Sequence, residues 1–505
     1  MLPNTMKFKD RLYDAVFDYI DLTEVEVKVI QTPVFQRLHH IKQLGMANIV
    51  FPSAVHTRFG HSLGVMHIMH KMVCHLRRNY QEMIQISDED HQVLRLAALL
   101  HDVGHLPFSH VGEAATESVS DKKATDAEVE MVTPDSPDGS TIEDFDTPRK
   151  PLNSKLHEML SKRIVENWRN VRDILQEYKC DPATVGRIIV GGSDLYQTML
   201  LHSELDADRL DYLLRDSNFL GVSYGNIELD HIVSMLGCGL LEGERAIGVK
   251  EKGLHAVEHY LLARYFMYSQ IIFSPSIFYL ESILRSVYEC LVESRDEDVH
   301  LFSADELTAI IDHNDHHKFY DFNDHLAYCN MRRLHNKLDA QARLKANDPV
   351  AFITNENTKV LLSGNIPKPM IVKKAFIDQK TKKKTESYKR SLSTKVKDAC
   401  DELEIHPKAV IYDFLSTKLT KARSSYSPDE PLPGDVRDEA IRIIDSDLKF
   451  KYLVENEATL LGSISNNLLQ CFYLFVNPLI LKRKGIDESK ARDVFKRHID
   501  VELVL

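Results

Sequence analysis

Apolar residues recur with helical spacing over most of the first 300 residues of this chain. Residues 87–90 have the pattern of a capping box, and apolar side chains then follow at steps of three and four. This spacing predicts a helix that presents His101 and His105 on one face. Further helices are predicted from about His61 and through residues 156–165. The predicted fold class is therefore mainly α.

Composition excludes several protein classes. The chain has 505 residues, of which 43% are hydrophobic and 27% charged, so it is neither disordered, collagenous nor a disulfide scaffold. Its seven cysteines show no CxxC spacing, which excludes a zinc ribbon, and we expect them to remain thiols. The formal net charge of −12 argues against nucleic acid as the main ligand.

Neither end of the chain has the pattern of a membrane or export segment. Residues 1–10 lack the apolar stretch of a secretory signal. The apolar run over residues 468–481 is too short and too interrupted to span a bilayer. We therefore expect a cytoplasmic location with no membrane partner.

Changes in composition divide the chain. Residues 1–330 are expected to form a helical catalytic core, with residues 114–152 as an acidic, mobile insertion. Residues 331–505 are expected to form a smaller mixed α/β region for regulation or oligomerisation. Within it, the Lys-rich stretch 370–395 has two interpretations, a solvated hairpin or loop and a contact for polyanions or nucleotide phosphates. A polar stretch at residues 424–435 precedes the last helical region.

Three segments offer donors for a divalent metal. They are residues 58–61, the doublet His101-Asp102, and residues 206–212. Hydrolysis assisted by a divalent metal needs neutral imidazole and carboxylate ligands in a shaped pocket with an open position. An adjacent pair cannot fill a coordination sphere alone, so the chain is predicted to be a metallohydrolase that combines ligands from distant segments.

The motifs around these donors resemble one family. Its order of histidine, His-Asp doublet and aspartate is that of the HD-domain phosphohydrolase superfamily. More narrowly, the chain is similar over residues 7–280 to the SAM-and-HD-domain dNTP triphosphohydrolases and their bacterial, dGTPase-like relatives. The similar segments are TPVFQRL at 32–38, IKQLG at 41–45, HTRFGHSLG at 56–64, HDVGHLPFSH at 101–110 and LDADRLDYLLRDSNFLGVSYG at 205–225.

The resemblance implies a helical HD-domain core and a specific set of metal ligands. These ligands fall on His61, His101, Asp102 and Asp208, and all four identities are kept. Two imidazoles and two carboxylates suit iron, zinc, manganese or magnesium, and ligand type alone does not choose among them. A second magnesium ion accompanying the nucleotide is also compatible with the resemblance.

The resemblance further implies acid and base residues at His105, His110 and His157, which would contact the α-phosphate or donate a proton. Of these, His110 is the best candidate for the general acid. The family has an aspartate three residues after that histidine, and here the position is Glu113. Its extra methylene changes the reach of the carboxylate but leaves an acceptor that can orient an imidazole.

Substrate residues follow from the same comparison. Three arginines stand where the family contacts phosphate, and four further residues stand where it contacts the sugar. The arginines are Arg58, Arg209, which replaces a lysine, and Arg264; the sugar residues are Gln43, Leu44, Tyr212 and Asp216. Gln43 would read the 3′-hydroxyl and Leu44 would crowd the ribose 2′-position, although Leu44 is also compatible with an ordinary core role. Near the base, Tyr268 and Ile272 differ from the family, so base preference is left open.

The implied reaction converts a dNTP and water into a deoxynucleoside and triphosphate, in nucleotide-pool control or in defence against phage. Two alternatives stay open. One is another HD-domain activity, namely that of a phosphodiesterase, nucleotidase or nuclease. The other is a catalytically silent nucleotide-sensing subunit that switches a partner protein. The resemblance also implies a homo-oligomer, dimeric or tetrameric, that is assembled by a nucleotide activator.

Activation by GTP is predicted to be altered or absent. The family's guanine-reading aspartate is Gln31 here and an arginine is His39, although Gln36 and Arg37 are kept. A glutamine offers guanine only one acceptor where a carboxylate offers two. dNTP consumption measured with GTP and with each other dNTP checks this, and strong activation by GTP alone would contradict it.

Overall fold

The structure is a computed structural model that describes residues 6–132, 156–241, 243–344, 348–377, 379–418, 440–445, 449–453 and 468–500. These residues are mainly helical with small sheets, which confirms the predicted fold class. No helix among them is both long enough and apolar enough to cross a membrane.

The helices are numbered in chain order. They are α1 (Glu24–Ile30), α2 (Pro33–Gln36), α3 (Arg58–Asn79), α4 (Asp88–Leu100), α5 (His110–Val132), α6 (Leu156–Asn167), α7 (Arg169–Glu177), α8 (Pro182–Ile189), α9 (Leu195–His202), α10 (Ala207–Leu220), α11 (Leu229–Ser234), α12 (Leu254–Met267), α13 (Pro275–Glu293), α14 (Ala304–Asp312), α15 (His316–Asp321), α16 (Asp324–Leu344), α17 (Pro349–Ser363), α18 (Gln379–Glu402), α19 (Pro478–Arg483) and α20 (Glu488–His498).

Three small sheets accompany the helices. The strands are β1 (Phe8–Asp14), β2 (Asp18–Thr23), β3 (Leu236–Leu241), β4 (Glu244–Lys250), β5 (Ile371–Ile377), β6 (Val410–Lys418), β7 (Arg442–Ile444), β8 (Phe450–Tyr452) and β9 (Leu468–Val476). Strands β1 and β2 form an antiparallel hairpin. The second sheet has the order β3-β4-β7-β8, and the third has the order β5-β9-β6.

Helix α4 begins as predicted but ends earlier. The Ser87 hydroxyl accepts from the Asp90 amide, and the Asp90 side chain accepts from the Ser87 amide, so the predicted capping box is confirmed. The helix stops at Leu100, and His101 to Gly104 form a turn. The prediction that His101 and His105 share a helical face is therefore wrong.

The cause of this early end is the close approach of α6. A Cβ atom on Gly104 would lie 2.4 Å from the carbonyl oxygen of His157 and 2.5 Å from the amide nitrogen of Ser161. The Ser161 hydroxyl donates to the carbonyl of His101 at 2.7 Å and accepts from the amide of Gly104 at 2.9 Å. Helix α6 thus satisfies backbone groups that the end of α4 leaves open.

Helix α3 carries much of the core. It starts at Arg58, three residues before the predicted position. The predicted apolar face is confirmed, because Val65, Ile68, Met69, Met72 and Leu76 are all buried. The same helix brings His61 into the interior, since its apolar neighbours fix which side faces inward.

The first part of the predicted insertion is helical. Helix α5 continues from His110 to Val132, and Ala114, Ala115 and Val119 are buried. Residues 114–132 are therefore helical, contrary to the prediction of a mobile insertion from residue 114. Small side chains carried little apolar periodicity in the sequence, yet they allow α5 to pack closely against α13. Residues 133–152 of the expected insertion lie outside the described residues.

The Lys-rich stretch is neither a hairpin nor a loop. It forms β5 and residues 379–395 of α18, which corrects that interpretation. Helix α18 buries Leu392, Val396 and Ala399 against β9 and α20, whereas Lys383, Lys384 and Lys389 are exposed. The polar stretch at 424–435 lies outside the described residues.

The expected division at residue 330 falls inside α16. The two parts of the chain also share structure, because β4 pairs in parallel with β7 through Val249 and Ile443. In addition, the Tyr473 hydroxyl donates to the carbonyl of Phe273 at 2.7 Å. The carboxy-terminal region is thus joined to the core by backbone and side-chain hydrogen bonds.

A buried ion pair joins α1 to α4. The Arg95 guanidinium donates to both carboxylate oxygens of Glu26 at 2.7 and 2.8 Å, and both side chains are almost fully buried. Burial raises the pKa of Glu26, but Arg95 and the hydrogen bonds donated to the carboxylate outweigh it and lower the pKa below its ordinary value.

Arg95→Met is expected to lower the free energy of unfolding by about 3–5 kcal/mol, because it leaves a buried carboxylate without its partner. The difference should shrink as pH falls from the ordinary Glu26 pKa of 4.5 toward its lowered value in the folded protein, since protonation of the carboxylate in the unfolded chain then favours unfolding of the wild type. Denaturant unfolding across pH measures both effects. Arg163→Met, which breaks an exposed pair with Asp312, is the control and should cost less than about 1 kcal/mol. Equal costs for the two variants would contradict the prediction.

Candidate functional site

Three elements bring the predicted metal ligands together. His61 lies in the first turn of α3, His101 and Asp102 follow α4, and Asp208 lies in the first turn of α10. One ligand atom from each of His61, His101 and Asp208 lies within 4.8 Å of the others. Asp102 joins them, with Oδ2 at 3.7 Å from His61 Nε2 and Oδ1 at 3.3 Å from His101 Nε2.

Both imidazoles direct Nε2 toward this centre. His61 Nδ1 lies 2.7 Å from Asp211 Oδ2, and His101 Nδ1 lies 2.8 Å from the carbonyl oxygen of Ala98. Acceptors at Nδ1 fix the tautomer that carries its proton there, which leaves a lone pair on Nε2. Both Nε2 atoms are buried and make no hydrogen bond of good geometry, and His61 Nε2 lies 3.0 Å from Asp208 Oδ1. Buried nitrogen atoms that face two carboxylates fit a divalent metal ion.

The carboxylates of this centre are held in place. Arg58 Nη1 donates to Asp102 Oδ2 at 2.6 Å, and both groups are buried. Burial raises the pKa of Asp102, but Arg58 and the neighbouring histidines outweigh it, so the pKa lies well below its ordinary value. Asp206 caps α10 by accepting from the backbone amide of Arg209 at 2.7 Å. This cap fixes the start of the helix, and Asp208 lies in its first turn.

Asp211 supports His61 from the side opposite the centre. Its carboxylate accepts from Arg215 at 2.9 and 3.0 Å, and Arg215 reaches on to Asp14 at 2.8 Å. This packing requires Gly64, because a Cβ atom there would lie 1.8 Å from Asp211 Oδ1. A chain of charges from the amino-terminal hairpin therefore orients the first histidine.

A second cluster adjoins the first. Glu113 Oε1 lies 2.7 Å from His157 Nδ1, and Glu113 Oε2 lies 2.9 Å from His110 Nδ1. His105 stacks on His157 with ring centroids 4.0 Å apart, and its Nε2 lies 3.2 Å from Asp102 Oδ1. Burial raises the pKa of Glu113, but the neighbouring histidines outweigh it and the pKa lies well below its ordinary value.

His110 is the solvent-facing member of this cluster, with 51% of its side chain exposed, whereas Glu113 is fully buried. The loop before it is conformationally unusual, since Phe108 and Ser109 have φ angles of 60° and 56°. Such backbone persists in non-glycine residues only when neighbours hold it. Here Asp324 accepts from the Phe108 amide, and Arg58 Nε donates to the Ser109 hydroxyl at 2.9 Å.

The predicted phosphate-binding arginines have different partners. Arg58 donates to Asp102, and the Arg209 guanidinium donates to Asp206 and to the carbonyl of Ser203. Arg264 Nη1 is buried and makes no hydrogen bond, although Glu204 Oε1 lies 3.5 Å away.

The predicted sugar-binding residues lie on α10 and on the segment before α3. Tyr212 and Asp216 follow Asp208 at steps of four on α10. Asp216 Oδ1 lies 2.8 Å from His56 Nε2, and the backbone carbonyl of His56 accepts from the backbone amide of Gln43. Gln43 Oε1 is buried without a hydrogen-bond partner. Leu44 is half-buried in a small apolar cluster with Ala47, Ala54 and Ile277.

Sequence reasoning missed Asp211 and His56. The first lies in the predicted ligand segment, three residues after Asp208, and that helical spacing was the available signal. The second begins the HTRFGHSLG motif, but nothing local to it indicates that its partner is Asp216, 160 residues away.

The residues compared for guanine recognition have different surroundings in the structure. Gln31 lines a cavity of about 470 Å³ together with α7 residues, whereas His39 is not among its lining residues and stacks on Phe59 at 3.6 Å. Arg37 is wholly buried and donates to backbone carbonyls, among them that of His105 at 2.6 Å.

Comparison with known proteins identifies the part of the chain that contains both clusters. Residues 58–216 match the HD domain model. An uncharacterised Bacillus subtilis protein is 31% identical over 58% of this chain and 59% of its own length. Human deoxynucleoside triphosphate triphosphohydrolase SAMHD1 is 44% identical over 21% of this chain and 17% of its own length. The chain spans between half and three fifths of the first curated relatives it matches.

A solved structure shares the fold. The crystal structure of a phosphohydrolase from Bacteroides thetaiotaomicron has a TM-score of 0.61 and 22% sequence identity, covering 92% of this chain and 99% of that one. At this identity the likeness concerns the fold alone.

Asp211→Asn is expected to weaken metal binding by about 10–100-fold, because an amide orients the His61 imidazole less firmly than a carboxylate. Metal retained after dialysis against graded chelator measures this. The control is Asp230→Asn on α11, an exposed aspartate paired with Lys71. Circular dichroism verifies that both variants are folded, and unchanged metal retention in folded Asp211→Asn would contradict the prediction.

Proposed function

We propose that this chain, whose residues 58–216 match the HD domain, is a phosphohydrolase that converts deoxynucleoside triphosphates to deoxynucleoside and triphosphate in a metal-dependent reaction. The observation that carries this proposal is the pair of buried Nε2 atoms of His61 and His101, which face Asp102 and Asp208 without hydrogen bonds of good geometry. The human relative is a deoxynucleoside triphosphate triphosphohydrolase, which supports the choice of substrate.

His61, His101, Asp102 and Asp208 would hold the metal. A divalent ion bound there would polarise a phosphate oxygen and lower the pKa of a bound water molecule. Contacts of the ligands favour metal binding. An acceptor at Nδ1 fixes the tautomer of each histidine, and Arg58 keeps Asp102 ionised.

The His105, His110, Glu113 and His157 cluster would handle protons and the developing phosphate charge. Glu113 accepts from both His110 and His157, so each ring directs its Nε2 away from the carboxylate. Burial lowers the pKa of His157, but Glu113 outweighs it and raises the pKa to about 9, which keeps the ring charged at neutral pH. A cationic His157 suits contact with a phosphate oxygen, while exposed His110 can deliver a proton to the departing 5′-oxygen.

Residues on α10 and on the segment before α3 would discriminate between sugars. The unpartnered Gln43 Oε1 is an acceptor for a substrate hydroxyl, and Asp216 and Tyr212 are presented by the same helix as Asp208. Leu44, which follows Gln43 in the chain, would supply apolar bulk that disfavours a ribose 2′-hydroxyl, because that group would lose its hydrogen bonds to water.

The expected products distinguish this function from its alternatives. With each dNTP and a supplied divalent metal, the wild-type protein should release deoxynucleoside and triphosphate, resolved by ion-exchange chromatography. Asp208→Ala should lower kcat by at least about 10³-fold, since it removes a ligand of the metal that stabilises the transition state. Asp230→Ala serves as the matched control and should retain activity.

Other outcomes identify the alternatives. Release of monophosphate or pyrophosphate would favour a different HD-domain activity, namely that of a phosphodiesterase or nucleotidase. Nucleotide binding without turnover, in a protein that contains metal, would favour a nucleotide-sensing subunit. Either outcome would overturn the proposed reaction while leaving the assignment to the HD-domain phosphohydrolases intact.

A further inference from the structure

A second group of metal-ligating side chains lies between α3 and α4, outside the residues assigned above. His70 and Cys74 are one turn apart on α3, and His91 lies in the first turn of α4. One donor atom from each of the three lies within 4.8 Å of the others. His91 is fully buried, and the other two are half-buried.

Two separations in the cluster are close to the edges of a tetrahedral metal site. With zinc bonds of about 2.0–2.1 Å to nitrogen and about 2.3 Å to sulfur, the donors lie about 3.3 Å apart for two nitrogens and about 3.6 Å apart for nitrogen and sulfur. His70 Nδ1 lies 3.1 Å from His91 Nε2, and Cys74 Sγ lies 3.8 Å from His70 Nδ1 and 3.6 Å from His70 Nε2. The two imidazole rings lie 15° from parallel, so the side chains must rotate for the three donors to converge on one ion.

Burial and positive charge surround the cluster. Burial, followed by the nearby Arg95 charge, lowers the pKa of both His70 and His91 to about 3. Glu26 neutralises Arg95 through the ion pair described above. Burial raises the pKa of Cys74, so binding must displace the thiol proton to solvent, as at other cysteine metal sites.

Metal binding would replace hydrogen bonds that His91 makes in the structure. Arg77 Nη1 lies 3.3 Å from His91 Nδ1, which makes that nitrogen an acceptor and places the ring proton on Nε2. That proton is donated to His70 Nδ1. A metal on Nε2 would move the proton to Nδ1, and Arg77 would keep its ion pair with Asp88 at 2.7 Å.

We propose that His70, Cys74 and His91 form a second metal site, for a borderline divalent cation of the zinc class, distinct from the HD-domain centre. Two imidazoles and one thiolate are ligands that zinc takes readily, and three protein ligands leave a fourth position for water. The site would join α3 to α4, the helices that respectively carry His61 and lead into His101. It therefore has a stabilising role that does not depend on the proposed reaction.

Cobalt(II) distinguishes the two centres. Titration of the full, reduced chain with cobalt(II) should produce a sulfur-to-cobalt charge-transfer band, which the HD-domain ligands cannot give because they include no thiolate. We expect the band to saturate at one equivalent in Asp208→Ala, to be absent in Cys74→Ser and to persist in Cys329→Ser, which alters an exposed cysteine. No band in folded Asp208→Ala, or a band that survives in Cys74→Ser, would overturn the proposal.

Thermal unfolding provides a readout that does not use cobalt. Zinc should raise the Tm of Asp208→Ala and leave the Tm of Asp208→Ala/Cys74→Ser unchanged, since binding only to the folded state stabilises it. Circular dichroism without metal verifies that the double variant is folded. Equal zinc-induced shifts in the two proteins would contradict a site at Cys74.

Discussion

The buried ion pair of Arg58 and Asp102 is the contact on which the site depends. Asp102 lies beside His61, His101 and His105 in the protein interior, where an unpaired carboxylate would cost several kcal/mol. Arg58 provides the compensating charge at 2.6 Å. Because Arg58 starts α3 and Asp102 follows α4, the pair also fixes where these two helices meet.

The Arg58 guanidinium also holds the loop before α5 in place. Its Nε donates to the Ser109 hydroxyl, which in turn donates to the carbonyl of Lys42 at 2.8 Å. These bonds hold the left-handed conformation of Ser109 and place His110 at the mouth of the second cluster. One arginine thus links metal-ligand geometry, loop conformation and the position of the proposed proton donor.

Local patterns in the sequence were sufficient for the start of α4, for the buried face of α3 and for the residue types of the site. The capping box at Ser87 and the apolar face of α3 depend only on near neighbours, and the structure confirms both. The end of α4 at Leu100 was not predictable in this way, because it depends on α6 docking against Gly104. Helix α5 was missed for a similar reason, since its buried alanines carry little periodic signal.

Partners across long sequence distances were the least predictable part of the site. Asp211 orients His61 from 150 residues away, and Asp216 meets His56 from 160 residues away. Arg209 was expected to contact phosphate, yet in this structure it donates to Asp206. A side chain's type was evident from the sequence, but its partner depends on how α3 and α10 pack together.

We propose that, at the centre formed by His61, His101, Asp102 and Asp208, water attacks the α-phosphorus of a deoxynucleoside triphosphate and the bond to the 5′-oxygen of the deoxynucleoside breaks. Hydrolysis in water enriched in the oxygen-18 isotope, followed by mass spectrometry of the products, tests it most directly. Attack at the α-phosphorus places the heavy oxygen in triphosphate and leaves the deoxynucleoside unlabelled. Label in inorganic phosphate or in a nucleoside monophosphate would contradict the claim.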